Sequence, residues 1–299
     1  MRAKSLSNYR FRKSKSRRLM ANNVQRVTIM TDNPLRKTDR PLIMGHRGDP
    51  KAAPENTLEA IKAAVDIGVD YIETDIRLTG DGQIVLFHDD TMERLTGEAD
   101  VLLNYSLEDL LGFDMGEHYT LDGETFPFKG QGYKIATLEK ALTTFPKTKF
   151  NLDIKDEIDE FPQMLIDLLT RLGAKKRVIV GSFHTKQIER MRGLASDIKT
   201  AASPREVKRF VLGMVAHMER FLPKNPRYFA LQVPKDSGRI EVVTQRFVDA
   251  AHERNIAVHV WTINDEETMG ELIDMDVDGI FTDEPKLLID ILTERGLFD

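Results

Sequence analysis

From Leu42 onward, short apolar runs alternate with stretches whose apolar positions recur every three or four residues. The runs read as strands over Leu42–His46, Tyr71–Thr79, Lys149–Lys155, Arg177–Phe183, Lys199–Ser203, Tyr228–Val233, Ala257–Ile263 and Asp278–Thr282. The periodic stretches read as helices over Thr57–Gly68, Thr137–Phe145, Ile158–Leu172, Thr185–Leu194, Arg205–Met218, Thr244–Asn255, Glu266–Met275 and Pro285–Arg295. After the second strand, Asp81-Gly82 marks a tight turn that folds Gln83–His88 back as a short strand. Strands separated by helices predict a parallel sheet, and eight repeats of the unit predict a closed (β/α)₈ barrel of about 250 residues. An open doubly wound sheet is the alternative, but no G-x-G-x-x-G follows the first strand.

One stretch breaks the alternation. Thr91–Tyr133, between the second strand unit and its helix, has Gly112, Gly116, Gly123, Pro127, Gly130 and Gly132 scattered through it and no sustained period. A connection that long predicts a lid or small subdomain, which in a barrel lies over the C-terminal mouth. In the helix Arg205–Met218, the residues Val207, Phe210, Val211, Met214, Val215 and Met218 keep helical spacing and are expected in the core.

Composition narrows the chemistry. Hydrophobic residues make up 41% of 299, enough for a large core, and there is no cysteine. Disulfides, thiolate metal sites and cysteine nucleophiles are therefore excluded. No apolar run approaches the roughly 20 residues of a membrane span, so a soluble, cytoplasmic protein is expected. The net charge of −5 hides an asymmetry: residues 1–40 hold twelve Lys/Arg against Asp32 and Asp39, leaving −15 for the rest. A body that acidic does not predict a nucleic-acid binder. The basic arm, residues 1–40, reads as a disordered extension. An organellar import signal or a peripheral membrane or RNA tether fits the same composition. Residues 41–299 form the barrel domain.

Polar residues gather where the strands end. His46, Glu73, Asp75, Asp153, Lys155 and Trp261 all fall near C-terminal strand ends, and His88 ends the hairpin. In a barrel those ends converge. Side chains alternate along a strand, so Glu73 and Asp75 share one face, as do Asp153 and Lys155. Glu73, Asp75 and Asp153 form an all-oxygen set that suits Mg²⁺ or Ca²⁺, with Mn²⁺ a further option. Without a cation these acids would repel one another by about 4 kcal/mol at 4 Å and intermediate dielectric. Arg47 and Lys155 favour an anionic substrate, phosphate above all. The pair His46 and His88 can divide the work of base and acid near neutral pH. Together these are the parts for phosphodiester cleavage.

The ordered motifs His46-Arg47-Gly48, Pro54-Glu55-Asn56-Thr57, Glu73-Thr74-Asp75 and Phe87-His88-Asp89 resemble those of the glycerophosphodiester phosphodiesterase family. Asn151–Lys155, Val260–Asn264 and Asp278–Asp283 extend the resemblance over about residues 42–296. It implies a (β/α)₈ barrel with an insertion after the second strand unit. The implied reaction is metal-dependent hydrolysis of glycerophosphodiesters to sn-glycerol 3-phosphate and an alcohol. The resemblance makes His46 and His88 the acid–base pair and Glu73, Asp75 and Asp153 the cation ligands. Arg47 and Lys155 would contact phosphate, Glu55 would stand beside metal and glycerol, and Trp261 would line the pocket. The family commonly has Glu where this chain has Asp153. Attack by water and attack by the glycerol 2-hydroxyl both fit these parts. The rival reading is a phospholipase D-type phosphodiesterase for lysophospholipids or sphingomyelin, with Phe113, Met115, Tyr119, Phe126 and Phe128 of the insertion cradling a chain. A further rival is a non-catalytic protein recruited through the basic arm. Asn56 is expected to cap the first helix, and Asp283 to brace the last loop.

Overall fold

A computed structural model describes residues 33–36 and 39–298. The basic arm before Asn33 lies outside the described residues. The strands are β1 (Leu42–His46), β2 (Tyr71–Leu78), β3 (Ile84–Leu86), β4 (Lys149–Ile154), β5 (Val178–Gly181), β6 (Lys199–Thr200), β7 (Ala230–Pro234), β8 (Asp236–Ser237), β9 (Ile240–Glu241), β10 (Ala257–Trp261) and β11 (Gly279–Thr282). The helices are α1 (Leu58–Asp66), α2 (Glu93–Thr96), α3 (Leu107–Leu110), α4 (Leu138–Thr144), α5 (Phe161–Arg171), α6 (Thr185–Leu194), α7 (Pro204–Val215), α8 (Gln245–His252), α9 (Glu266–Asp274) and α10 (Pro285–Glu294).

Eight of the strands run parallel in the order β6-β5-β4-β2-β1-β11-β10-β7. The ring closes between its two ends, where Ala201 bridges Ala230 and Phe229 N–H donates to the Thr200 carbonyl at 3.0 Å. This is the expected (β/α)₈ barrel. The residues facing outward, such as Ile72, Ile76, Phe150, Leu152, Val258 and Val260, pack under the helices in two large clusters. Helix starts follow local chemistry: Thr57, Thr137, Thr244 and Asp265 each accept an N–H from three residues on.

Inside the barrel, alternation sorts chemistry by height. Leu42, Met44, Tyr71, Ile179, Ala230, Ala257 and Phe281 make an apolar foot together with Leu35. One or two steps further along β1, β2 and β10 stand His46, Glu73, Asp75 and Trp261, with Asp153 beside Asp75 on β4. The period of two that buries the foot therefore delivers the polar groups to the mouth.

Leu35 belongs to the stretch assigned to the arm, yet it is fully buried. Asn33 Nδ2 donates to the carbonyls of Phe229 and Asn255 at 2.7 and 2.9 Å, and Arg36 pairs with Asp278 at 3.4 Å. Residues 33–36 thus plug the foot of the barrel. Four residues are too few to show a period, so this plug is not legible from spacing alone.

The insertion builds its own small core from Met92, Leu95, Leu102, Leu110, Met115, Tyr119 and Phe128 against Val85 and Phe87 of the hairpin. It contains α2 and α3 and anchors to the first loop through Tyr119, whose hydroxyl donates to the Pro50 carbonyl at 3.1 Å. The hairpin β8–β9 was not expected, because two-residue strands carry no readable alternation.

Candidate active site

A cavity of about 700 Å³ opens at the barrel mouth, lined by His46, Arg47, Glu73, Asp75, His88, Asp153, Lys155 and Trp261 among others. Of the nine residues singled out in the sequence, only Glu55 is not part of its lining. Register explains the convergence: His46 pairs with Glu73 across β1–β2, and Asp75 with Asp153 across β2–β4.

Both histidines are held the same way. His46 Nδ1 lies 2.7 Å from Asp283 Oδ1, and His88 Nδ1 lies 2.6 Å from Asp89 Oδ1. A carboxylate can only accept, so each Nδ1 carries the proton and each Nε2 is left for other work. His46 Nε2 stands 3.9 Å from Glu73 Oε2. Burial pulls the His46 imidazolium down, but the bond to Asp283 and the charge of Glu73 lift its pKa above the ordinary value. The Asp283 carboxyl is correspondingly held low: burial opposes this, and the bond to His46 outweighs it. Asp283 was expected only to brace the loop. It does so, accepting from Asn264 Nδ2 at 2.7 Å, but its other oxygen orients His46.

The arginine of the first motif is set by its backbone. Arg47 takes a φ of +58°, and Gly48 follows at +98°. A Cβ on Gly48 would stand 2.6 Å from the Ala60 carbonyl carbon, so only glycine lets α1 approach the motif. From this turn Arg47 reaches Asp75 (3.1 Å) and Glu55 (2.8 Å). Glu55 is buried behind it, clamped also by Arg94 of α2 at 2.6 Å. Glu55 therefore acts on the site through Arg47, and its pKa is lowered despite burial by these two guanidiniums. Arg94 also holds Asp89 at 2.6 Å, which ties the insertion to the His88 pair. Asn56 does not cap α1; Thr57 does. Asn56 instead donates to Asp75 Oδ2 at 3.1 Å and accepts from Thr74 at 2.6 Å.

The three acids have different neighbours. Asp75, though buried, stays well below the usual carboxylate range because Arg47 and Lys155 flank it. Lys155 Nζ bridges Asp75 Oδ1 at 2.9 Å and Asp153 Oδ2 at 2.7 Å. Burial, followed by the charge of Asp75, pushes the Glu73 carboxyl up to about 7. Its nearest donor is the Arg47 N–H at 3.3 Å. Burial likewise raises the Asp153 carboxyl. Among the described residues, no three His, Asp or Glu side chains converge as a ready metal cage, because the Lys155 ammonium occupies the gap between Asp75 and Asp153. The donor chemistry nonetheless fits a hard cation. Glu73 and Asp75 are buried oxygen donors two residues apart, and a cation between them would offset the burial and mutual charge that raise the Glu73 carboxyl.

None of the other described histidines lines the cavity. His252 pairs with Asp278 at 2.8 Å, His184 contacts the Lys155 carbonyl at 2.9 Å, and His259 is buried below the site. His118 packs beside Phe126 inside the insertion. The cradle expected from the insertion does not form: Met115, Tyr119 and Phe128 are spent on its own core, and none of the five residues lines the cavity.

Comparison with known proteins follows the same lines. A family model described as the glycerophosphoryl diester phosphodiesterase family matches residues 46–287. A glycerophosphodiester phosphodiesterase of Caldanaerobacter subterraneus subsp. tengcongensis is 30% identical over 260 residues, covering 85% of this chain and 99% of that protein. In fold, the chain is similar to a glycerophosphoryl diester phosphodiesterase domain from Mycobacterium tuberculosis, with a TM-score of 0.75 at 21% identity, covering 86% of this chain and 100% of that one. An Oleispira antarctica phosphodiesterase solved with its product sn-glycerol-3-phosphate aligns with a TM-score of 0.65 at 22% identity, over 85% of this chain and 97% of its own.

Proposed function

This chain belongs to the glycerophosphoryl diester phosphodiesterase family, and we propose that it hydrolyses glycerophosphodiesters to sn-glycerol 3-phosphate and an alcohol at the barrel mouth. The observation that carries the reading is the pairing of two carboxylate-held imidazoles with Arg47 and Lys155 around one cavity. Arg47 and Lys155 bind the phosphate oxygens, Arg47 in the planar fork that suits two oxygens at once. Glu55, Arg94 and Asn56 keep Arg47 and Asp75 in place.

Water adds across the ester. Its oxygen joins phosphorus, and His88 takes its proton at Nε2. The bond from phosphorus to the alcohol oxygen breaks, and His46 supplies the proton that the departing oxygen needs. The raised pKa of His46 suits it to the acid role. Exchange with solvent resets both rings. Glu73 and Asp75, with Asp153, would hold the divalent cation on which the family generally depends. Bound there, it would neutralise charge on the phosphoryl oxygens. Lys155 would then be released from the acids toward the phosphate. Asp153, one methylene shorter than the usual Glu, would complete that oxygen set from β4.

The test is a substrate panel with and without chelator. Release of sn-glycerol 3-phosphate from glycerophosphocholine and glycerophosphoethanolamine is expected, lost on chelation and restored by Mg²⁺, Ca²⁺ or Mn²⁺. Full turnover in chelator would remove the cation from the scheme. Failure to hydrolyse any member, with cation present, would overturn the reading.

A further inference from the structure

The cavity is also lined by two amides that the chemistry above does not use. Asn151 of β4 is almost fully buried and Gln232 of β7 partly so. Gln232 Nε2 donates to Asn151 Oδ1 at 2.6 Å, joining two strands that are not neighbours in the sheet. Both amides are oriented from the foot of the barrel. The Leu35 carbonyl can only accept, so His259, fully buried and 3.4 Å from it, carries its proton on Nε2. His259 Nδ1 is then an acceptor, and the atom that faces it at 3.5 Å is the amide nitrogen of Gln232. That nitrogen is fully used, which leaves the Gln232 carboxamide oxygen and the Asn151 amide nitrogen. Neither bonds to any described residue, and neither is sealed from the cavity. Gly181 keeps the oxygen open, since a Cβ there would stand 3.3 Å from Gln232 Oε1. An acceptor and a donor on linked side chains suit a hydroxyl, which can donate to one and accept from the other. A phosphate oxygen only accepts, so it is repelled by Gln232 Oε1 and belongs with Arg47 and Lys155. Glu55, expected beside glycerol from the sequence, is taken by Arg47 and Arg94 and does not line the cavity. Glycerol therefore needs other partners.

We propose that Gln232 Oε1 and Asn151 Nδ2 hold a hydroxyl of the glycerol moiety, and that Gln232 is thereby a specificity-determining residue. It separates a glyceryl phosphate ester from one that carries a plain alkyl group. The inference rests on the function proposed above and assigns the residues that recognise its glycerol. His259 is a positioning residue: it acts through Gln232, turning the carboxamide oxygen toward the cavity. The plug at residues 33–36 thus bears on the site through one carbonyl, that of Leu35.

The experiment is calorimetric titration, with Mg²⁺ present, of sn-glycerol 3-phosphate and of n-propyl phosphate, which lacks both hydroxyls. Binding is read without turnover, so the hydroxyls are tested apart from the chemical step. The parent is expected to bind sn-glycerol 3-phosphate about tenfold more tightly than n-propyl phosphate. Gln232→Met is close in shape but has no carboxamide. It should weaken sn-glycerol 3-phosphate by about tenfold and n-propyl phosphate by about twofold at most. Gly181→Ala keeps the Gln232–Asn151 bond and crowds only the oxygen, so it should shift the same preference in the same direction. It decides the matter if Gln232→Met does not fold. Equal weakening of both ligands would mean a purely structural role and overturns the subsite. A parent with no preference between the ligands overturns it, as does a preference that stays intact in Gln232→Met. In each of these cases, hydrolysis of glycerophosphocholine by the parent leaves the proposed function standing. A parent that binds neither phosphate and hydrolyses no glycerophosphodiester overturns both.

Discussion

Asp283→Asn isolates the role of one charge behind His46. The substitution preserves size and keeps a hydrogen-bonding oxygen, but removes the negative charge 2.7 Å from Nδ1. A hydrogen bond to a charged group contributes about 1.5–3 kcal/mol. The Asp283 side chain is about a third exposed, so solvent screens part of that. We expect about 1.4 kcal/mol in the transition state, a tenfold loss in kcat. The pH profile gives a sharper reading. Burial depresses the His46 pKa, and Asp283 with Glu73 more than restores it. As the acid, His46 must be protonated, so kcat falls as pH rises through its pKa. Without Asp283 that pKa drops, and the alkaline limb moves toward acid. The assay is kcat for glycerophosphocholine across pH 5–9 for both proteins. An alkaline limb that stays in place, with kcat within twofold of the parent, would refute the coupling between Asp283 and His46.

Two further outcomes follow from buried groups. Gly48→Ala forces a Cβ to 2.6 Å from the Ala60 backbone at a φ of +98°, so the variant should lose roughly 1–3 kcal/mol of stability together with phosphate affinity; a parental melting curve and KM would contradict this. His259 is fully buried, and burial lowers its pKa. The unfolded chain then takes up a proton below about pH 6.5 that the native protein does not, so stability declines as pH falls through that value, by at most about 1.4 kcal/mol per unit. His259→Phe should flatten this decline in denaturant titrations, and an unchanged slope would sink the assignment.

How much could be read in advance depended on the length of the signal. The eight barrel strands and the helices between them repeat long enough for period and spacing to show, and the polar residues at the strand ends stood out against an apolar alternation. Partners fixed by turns stayed hidden. Asp283 just past β11 and Arg94 in the single-turn α2 reach His46 and Glu55 from segments too short for a period to show, and Asn56 turns from a cap into an anchor for Asp75 because its φ is +59°. In α7 the period was correct and the inference from it was not. Helical spacing shows that apolar residues share a stripe, but not whether protein covers that stripe. Val215 stands 56% exposed on it.

The central claim is that two imidazoles across one cavity move the protons of ester hydrolysis. Single-turnover hydrolysis of glycerophosphocholine by His46→Ala and by His88→Ala, each shown to fold as the parent does, tests it most directly. Both variants should be slower by about 10²–10⁴-fold. Either one turning over within tenfold of the parent would contradict the account.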